Sequence, residues 1–212
     1  MLSKKSVAII VAHPDDETLW AGGTILSQPS WNCFIICLCR KNDKERAIRF
    51  YEALKILKSD GIMGDIDDGP DQKPLDEGEI EQAILQLLPT KRFDLIISHN
   101  PNGEYTRHLR HEEASKAIIR LWYKGEILTK ELWTFAYEDG GKKYRPRPIE
   151  PASIYNMLMK QIWMTKYNII TKIYGFKENS WEAQTTPRSE AFWKFKSSQD
   201  AKLWLKNGGV VA

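Results

Sequence analysis

Apolar positions along the chain fall into short unbroken runs separated by amphipathic stretches, and that pattern predicts strands and helices in alternation. Val7-Ala8-Ile9-Ile10-Val11 is continuous and mostly β-branched, which reads as a strand buried on both faces. Thr18 to Leu26 follows as a helix, with Gly22-Gly23 allowing close packing against a sheet, and Cys33 to Cys39 is a second strand. Asn42 or Asp43 then caps a helix whose apolar face is Ala47, Phe50, Ala53, Leu54 and Leu57. Ser59-Asp60-Gly61 stops it before a weak strand over Ile62 to Ile66. Asp67 to Pro74 is polar and turn-rich and predicts a loop; Ile80, Ala83, Ile84 and Leu87 then mark a helix from about Asp76 to Leu88. Phe93 to Ile97 is another strand, ending at Ser98-His99-Asn100. A loop from Pro101 to about Arg110 leads into a helix carrying Ala114, Ala117, Ile118 and Leu121, closed by Gly125. Leu132 to Tyr137 is a further strand. Such alternation is the signature of βαβ units, and so of an α/β fold with a mainly parallel sheet.

The last third has a different pattern. Asp139-Gly140-Gly141 to Pro148 reads as a turn and an extended basic segment. Ile154 to Tyr174 is rich in Met, Ile, Trp and Tyr and interrupted by Lys160, Lys166 and Lys172. This predicts a helix covering the sheet in preference to one lying on a membrane surface. Thr186-Pro187 reads as an N-cap followed by proline at the first helical position. Ser197-Ser198-Gln199-Asp200 begins a terminal helix, with Gly208-Gly209 past its end. Nothing resembling a linker intervenes. A single domain over 1–212 is therefore expected, with its helical C-terminal region, about 141–212, the divergent part.

Composition narrows the picture. At 212 residues, 42% hydrophobic and 28% charged, the chain has the make-up of a soluble globular protein. A net charge of +3 is too small to indicate a nucleic-acid partner. The opening Met1-Leu2-Ser3-Lys4-Lys5 shows no signal-peptide apolar region, and no uncharged run reaches the ~18 residues of a membrane span. The expectation is a cytoplasmic protein without membrane contact, whose oligomeric state the pattern does not specify. Cys33, Cys37 and Cys39 share one strand face, with Phe, Ile and Leu between them where a metal site would need turns. They read as buried small hydrophobes in a reducing compartment.

Chemistry is concentrated in two places. Directly after the first strand, Ala12-His13-Pro14-Asp15-Asp16-Glu17 sets one imidazole and three carboxylates together. A solvated helix-capping turn would account for one or two of the acids, but not for a histidine with all three. The chain has four histidines, and the other three, His99, His108 and His111, follow the Phe93–Ile97 strand. In a parallel sheet both loops emerge at the carboxyl edge and can meet in the crevice there. Zinc takes about three protein ligands from such groups and keeps a position open for water. His13 and Asp16 can supply two, and the His108-Leu109-Arg110-His111 stretch the third. The same donors suit Fe2+, Mn2+ or Co2+.

Ala12-His13-Pro14-Asp15-Asp16-Glu17 matches the signature of the PIG-L/LmbE-like zinc-dependent N-deacetylases. Asn100-Pro101-Asn102-Gly103-Glu104-Tyr105-Thr106, followed by His108 and His111, resembles that family's second motif. The resemblance covers roughly residues 6 to 140 and is faint beyond. It implies a Rossmann-like three-layer fold, one catalytic zinc, and hydrolysis that releases acetate from an N-acetylglucosamine-type small-molecule substrate or its conjugate. Carried over by position, His13, Asp16 and His111 would be metal ligands and Asp15 the general base, while His108 would face the oxyanion as an imidazolium. Glu17 would orient a ligand or cap the helix. The alternatives are another metal amidase, of thiol-conjugate type, or an inactive sugar- or nucleotide-binding relative.

The departure is Arg110, which stands where the family pattern has an aspartate between the two histidines. Arginine cannot accept a hydrogen bond and disfavours an imidazolium beside it. Either Glu104, Glu112 or Glu113 replaces the missing carboxylate, or His108 acts as a neutral donor. Candidates for substrate contact are His99, Asn100, Asn102 and Tyr105 in the second loop. Arg49, on the helix ahead of Glu52, is a further candidate, weighed against a solvated helix charge.

Overall fold

The computed structural model describes residues 4–71, 73–106 and 108–209; the opening Met1-Leu2-Ser3, part of the stretch without a leader-type apolar region, lies outside them. In chain order the elements are β1 (Lys5–Val11), α1 (Asp16–Leu26), β2 (Trp31–Cys39), α2 (Lys44–Leu57), β3 (Asp60–Ile66), α3 (Glu77–Leu87), β4 (Arg92–Ser98), α4 (Leu109–Lys124) and β5 (Leu128–Phe135). They continue with β6 (Tyr137–Glu138), β7 (Arg147–Pro148), β8 (Ile154–Met157), α5 (Lys160–Asn168), a π-turn (Ile169–Ile173), α6 (Trp181–Thr185), β9 (Ser189–Phe195) and α7 (Ser198–Lys206).

Seven strands form one sheet in the order β3-β2-β1-β4-β5-β9-β8. The first five run parallel, and β9 and β8 add antiparallel. The unbroken apolar run of β1 is explained by its central place. Val7, Ile9 and Val11 face a core built with α1, α2 and the π-turn, while Ala8 and Ile10 face a second core built with α3, α4 and α7. Helices therefore cover both faces of the sheet, giving three layers. The strand order reverses between β1 and β4, so the loops leaving their carboxyl ends part to opposite sides and open a crevice.

Three local expectations are corrected. Ile154 to Tyr174 is not one helix: Ile154–Met157 is an edge strand paired with β9, and α5 begins only at Lys160. Half-burial alternates along Ile154, Tyr155, Asn156 and Met157, a period of two that the surrounding aromatic and Met-rich residues hide. Thr186-Pro187 does not start a helix. Ser180 caps the short α6 by accepting from the Ala183 N–H, and the chain after Pro187 extends into β9. Gly61 is no stop signal but a residue of β3, paired with Ile35, whose carbonyl oxygen a Cβ at this position would meet. The α2 helix ends instead at Lys58 in the left-handed conformation.

Candidate active site

The loop between β1 and α1 turns sharply at Asp15, whose φ of +119° lies in the left-handed half of the map that side chains rarely adopt. Its N–H donates to Glu17 Oε2 at 3.1 Å, and its carbonyl accepts the Thr18 and Leu19 N–H groups that begin α1. Glu17 is fully buried, its Oε1 taking hydroxyl donors from Thr18 and from Tyr174 at 2.7 Å. The strained turn is thus held by a carboxylate that is itself anchored from the far end of the chain.

That turn brings three donor atoms to a common point. His13 Nδ1, Asp16 Oδ2 and His111 Nε2 are mutually 3.2 Å apart. His111 reaches the point from the first turn of α4, and Trp20 Nε1 donates to Asp16 Oδ1 at 3.0 Å, fixing the carboxylate. These donors fit a divalent cation: ligands at about 2.0–2.2 Å lie ~3.3 Å or more apart in a tetrahedron and ~3.0 Å apart in an octahedron. The 3.2 Å triangle falls between the two, so it admits zinc without selecting it.

His99 lies next to the triangle, with Nε2 3.5 Å from Asp16 Oδ2, but its Nε2 accepts the Ala12 N–H at 2.9 Å and has no lone pair left for a metal. Its Nδ1 and that of His111 both face Glu104 Oε2, at 3.0 and 2.6 Å. Glu104, fully buried, also accepts the Asn100 N–H. Burial pushes its carboxyl up, but the His99 and His111 imidazoles outweigh that and hold it down to about 2. Burial likewise pulls the His111 imidazole down, and Asp16 and Glu104 on either side carry it up to about 10. Asp16, raised by burial, is held well below the carboxylate range by His111 and His99. The pocket favours a positive charge at His111 Nε2, where the three donors converge.

Asp15 shares none of the triangle's contacts and lines a cavity of about 650 Å³ beside it. Burial raises its carboxyl well above the usual range, with Asp16 and Glu17 adding to the rise. His108 lines the same cavity, its ring 4.5 Å from that of His13 and stacked at 4.2 Å on that of His111. Burial, then the neighbouring His111 and His13, push His108 down to about 3, which favours the neutral donor over the imidazolium. Arg110 is not the cause: its buried guanidinium turns away to the Asp67 and Lys73 carbonyls and to Glu113 Oε2. It ties the loop after β3 to α4.

The substrate-contact candidates separate. Tyr105 lines the cavity. His99 is fully buried behind Glu104 and does not. Asn100 spans the Phe135 carbonyl and the Asn102 N–H, and Asn102 donates to the Gly208 carbonyl. Both line a different hollow. Arg49 clamps the Tyr174 carbonyl and pairs with Glu45, so its guanidinium is taken up by structure. In its place Arg40 and Arg46 reach the cavity wall, Arg40 paired with Asp68, which in turn stands 3.2 Å from His13 Nε2. Phe176, Trp181 and Glu182, from the C-terminal region, complete that wall. Of the residues not anticipated, Asp68 sits in a stretch whose sequence signals only a turn, and Trp181 depends on long-range packing. Glu104, one of the three carboxylates expected to stand in for the missing one beside His108, faces His99 and His111 instead.

Comparison with known proteins bears on the whole arrangement. The family model described as GlcNAc-PI de-N-acetylase (PIG-L) matches residues 8–122. An uncharacterised protein of Acanthamoeba polyphaga mimivirus is 23% identical over 192 residues, 83% of this chain and 78% of its own length. Among solved structures, the N,N'-diacetylchitobiose deacetylase of Pyrococcus horikoshii superposes with a TM-score of 0.68 at 14% identity, covering 91% of this chain and 84% of its own. The zinc-inhibited form of teicoplanin deacetylase Orf2 gives 0.63 at 14% identity, covering 91% and 98%. The 4-carboxy-2-hydroxymuconate hydratase of Pseudomonas putida gives 0.60 at 18% identity, covering 90% and 95%. At these identities the likenesses establish the fold, and one of them carries out a different reaction on it.

Proposed function

The chain belongs to the GlcNAc-PI de-N-acetylase (PIG-L) family, and we propose that it is a metal-dependent N-deacetylase releasing acetate from an N-acetylglucosamine-type amino sugar or its conjugate. The observation that carries this reading is the division of labour between neighbouring carboxylates: Asp16 closes a three-donor triangle while Asp15, outside it, lines the adjoining cavity. A site that only bound sugar would have no use for a free carboxylate beside a metal.

His13, Asp16 and His111 would hold the ion, zinc in our reading, with Fe2+, Mn2+ or Co2+ able to take the same donors. When bound, such an ion polarises a carbonyl and acidifies water. Asp15 takes the proton from the attacking water as the new C–O bond forms at the acetamide carbon. It returns that proton to the nitrogen as the C–N bond breaks, so acetate and a free amine leave. His108, neutral and with a buried Nδ1 lacking a protein partner among the described residues, donates a hydrogen bond towards the oxygen that gains charge. Glu104 fixes the ring of His111, and Glu17 fixes the turn that aims Asp15. The two cores share one sheet, which supports a single domain through the C-terminal region.

The test is acetate release from a panel of N-acetylated sugars and conjugates, before and after chelation and with metal restored. Release that stops on chelation and returns with a divalent cation is expected. Release that survives chelation, or none from any acetamide, overturns the reading.

A further inference from the structure

We propose that Trp20, which is not itself a donor, selects the ion at this site: by holding Asp16 Oδ1 it limits that carboxylate to a single donor atom, and so favours zinc over manganese. The proposal rests on the reading of His13, Asp16 and His111 as metal ligands. The triangle by itself admits either ion, since its 3.2 Å edges fall between the tetrahedral and octahedral spacings. Discrimination can then come from how many donors the protein gives. An imidazole nitrogen has one lone pair to offer, so of the three ligands only the carboxylate can give a second donor.

Both oxygens of Asp16 are engaged. Oδ2 accepts the His13 N–H at 2.9 Å and forms one corner of the triangle. Oδ1 accepts the Trp20 indole N–H at 3.0 Å. Trp20 stands one helical turn after Asp16 on α1, so the two side chains share a face, and the indole is fully buried. Its ring packs against Tyr137, centroids 4.9 Å apart, with Tyr105 and Trp181 at 6.2 and 6.4 Å. Its backbone carbonyl accepts the Tyr137 hydroxyl at 3.1 Å. Swinging Oδ1 onto an ion would leave a buried N–H unpaired, because the indole is held by these contacts and cannot follow. The bond to Trp20 therefore opposes a two-oxygen grip. Three protein donors, two of them nitrogens, with a position left open is the arrangement zinc takes. Manganese favours carboxylate and water oxygens in six-coordinate shells, and gains more from the oxygen that Trp20 withholds.

The experiment titrates metal-free wild type and Trp20→Phe with Zn2+ and with Mn2+ against competing chelators, and compares the Co2+-loaded forms by visible absorption. Phenylalanine keeps a ring in the aromatic cluster and removes the N–H. In Trp20→Phe the ratio of the Mn2+ Kd to the Zn2+ Kd should fall about tenfold, within the range for a group that orients a metal ligand. The Co2+ bands should weaken, as they do when a four- or five-coordinate ion gains a donor. An equal loss of affinity for both ions would make Trp20 a packing residue, and an unchanged ratio and spectrum would make its bond to Asp16 immaterial; either overturns the proposal. If Trp20→Phe unfolds, β-(3-benzothienyl)alanine at position 20, the shape of tryptophan with sulfur in place of the N–H, carries the same comparison. Acetate release fails separately: a protein that releases none, but binds zinc and shows the shifted ratio, sinks the deacetylase reading and upholds the role of Trp20. Wild type that binds neither ion overturns this proposal and the metal-dependent reading with it.

Discussion

The two loops that follow β1 and β4 and the segment from Asp139 onward wall the same cavity by opposite means. The loops carry their chemistry in contiguous stretches: His13, Asp15 and Asp16 lie within one turn, and Glu104, His108 and His111 within another, because a parallel sheet delivers both to one edge. The C-terminal segment contributes single residues from separate elements, each acting on something distant. Tyr174 anchors Glu17, Glu190 accepts the Gly23 and Thr24 N–H groups within α1, and Trp181 covers the cavity. On the proposed reading, one region holds the reacting groups and the other holds the helix that aims them. If that contrast is right, damage in the first region should remove rate without stability, and damage in the second should do more to stability.

The sharpest test in the first region is Asp15→Asn. It keeps the shape and removes the base, so kcat should fall by about 10²–10⁴-fold while the metal is retained. Metal content by atomic absorption, measured beside steady-state rates, checks both halves. Metal lost in parallel with rate would show that Asp15 and Asp16 are not divided as proposed.

In the second region the largest effect belongs to the Lys166–Glu190 pair, fully buried at 2.6 Å. Burial pulls the Lys166 ammonium down from its ordinary value, and Glu190 is the partner that opposes this. Lys166→Met leaves the buried carboxylate without its counter-charge, held only by the Gly23 and Thr24 N–H groups, and should cost about 3–5 kcal/mol, read from urea unfolding, whereas adding Glu190→Gln should recover part of it. A single variant that unfolds like wild type would mean that α1 does not depend on this pair.

How much of this was legible in the sequence follows the same divide. The triangle donors are named by residue type and place, because metal chemistry demands particular atoms and the sheet dictates where strand ends go. Lys166, Glu190 and Tyr174 read as ordinary charges and an ordinary aromatic, since their meaning lies in partners far along the chain. Edge strand β8 was hidden for the same reason: its pairing with β9 is not a local property. Arg49 and Arg110 show the limit from another side. Both have the chemistry of substrate recognition or of charge perturbation, and both are occupied by backbone carbonyls that no sequence pattern reveals.

Tyr174→Phe tests the link between the regions. It removes one hydroxyl donor from Glu17 Oε1, leaves Thr18, and should loosen the turn at Asp15. A fall in kcat of about tenfold with KM and metal content unchanged is expected of a residue that positions another. A shift in KM alone would place Tyr174 in the substrate wall instead.

The smallest effect makes the control. Glu81 on α3 lies in the half that carries the motifs, but it pairs with Arg120 and Lys124 of α4, remote from the cavity. Burial opposes the charge on Glu81, and the two cations more than offset this, holding its carboxyl below the usual range. A group depressed in the folded state contributes stability above its unfolded pKa of about 4.3 and loses it as pH falls through the folded value. Glu81→Gln should therefore cost about 0.5–1 kcal/mol at pH 7, and the gap to wild type should close below about pH 4 while acetate release at pH 7 stays at the wild-type rate. A loss of rate from this variant would mean that the motif-bearing half owes its activity to helix packing as well as to its two loops, and the contrast between the regions would fail.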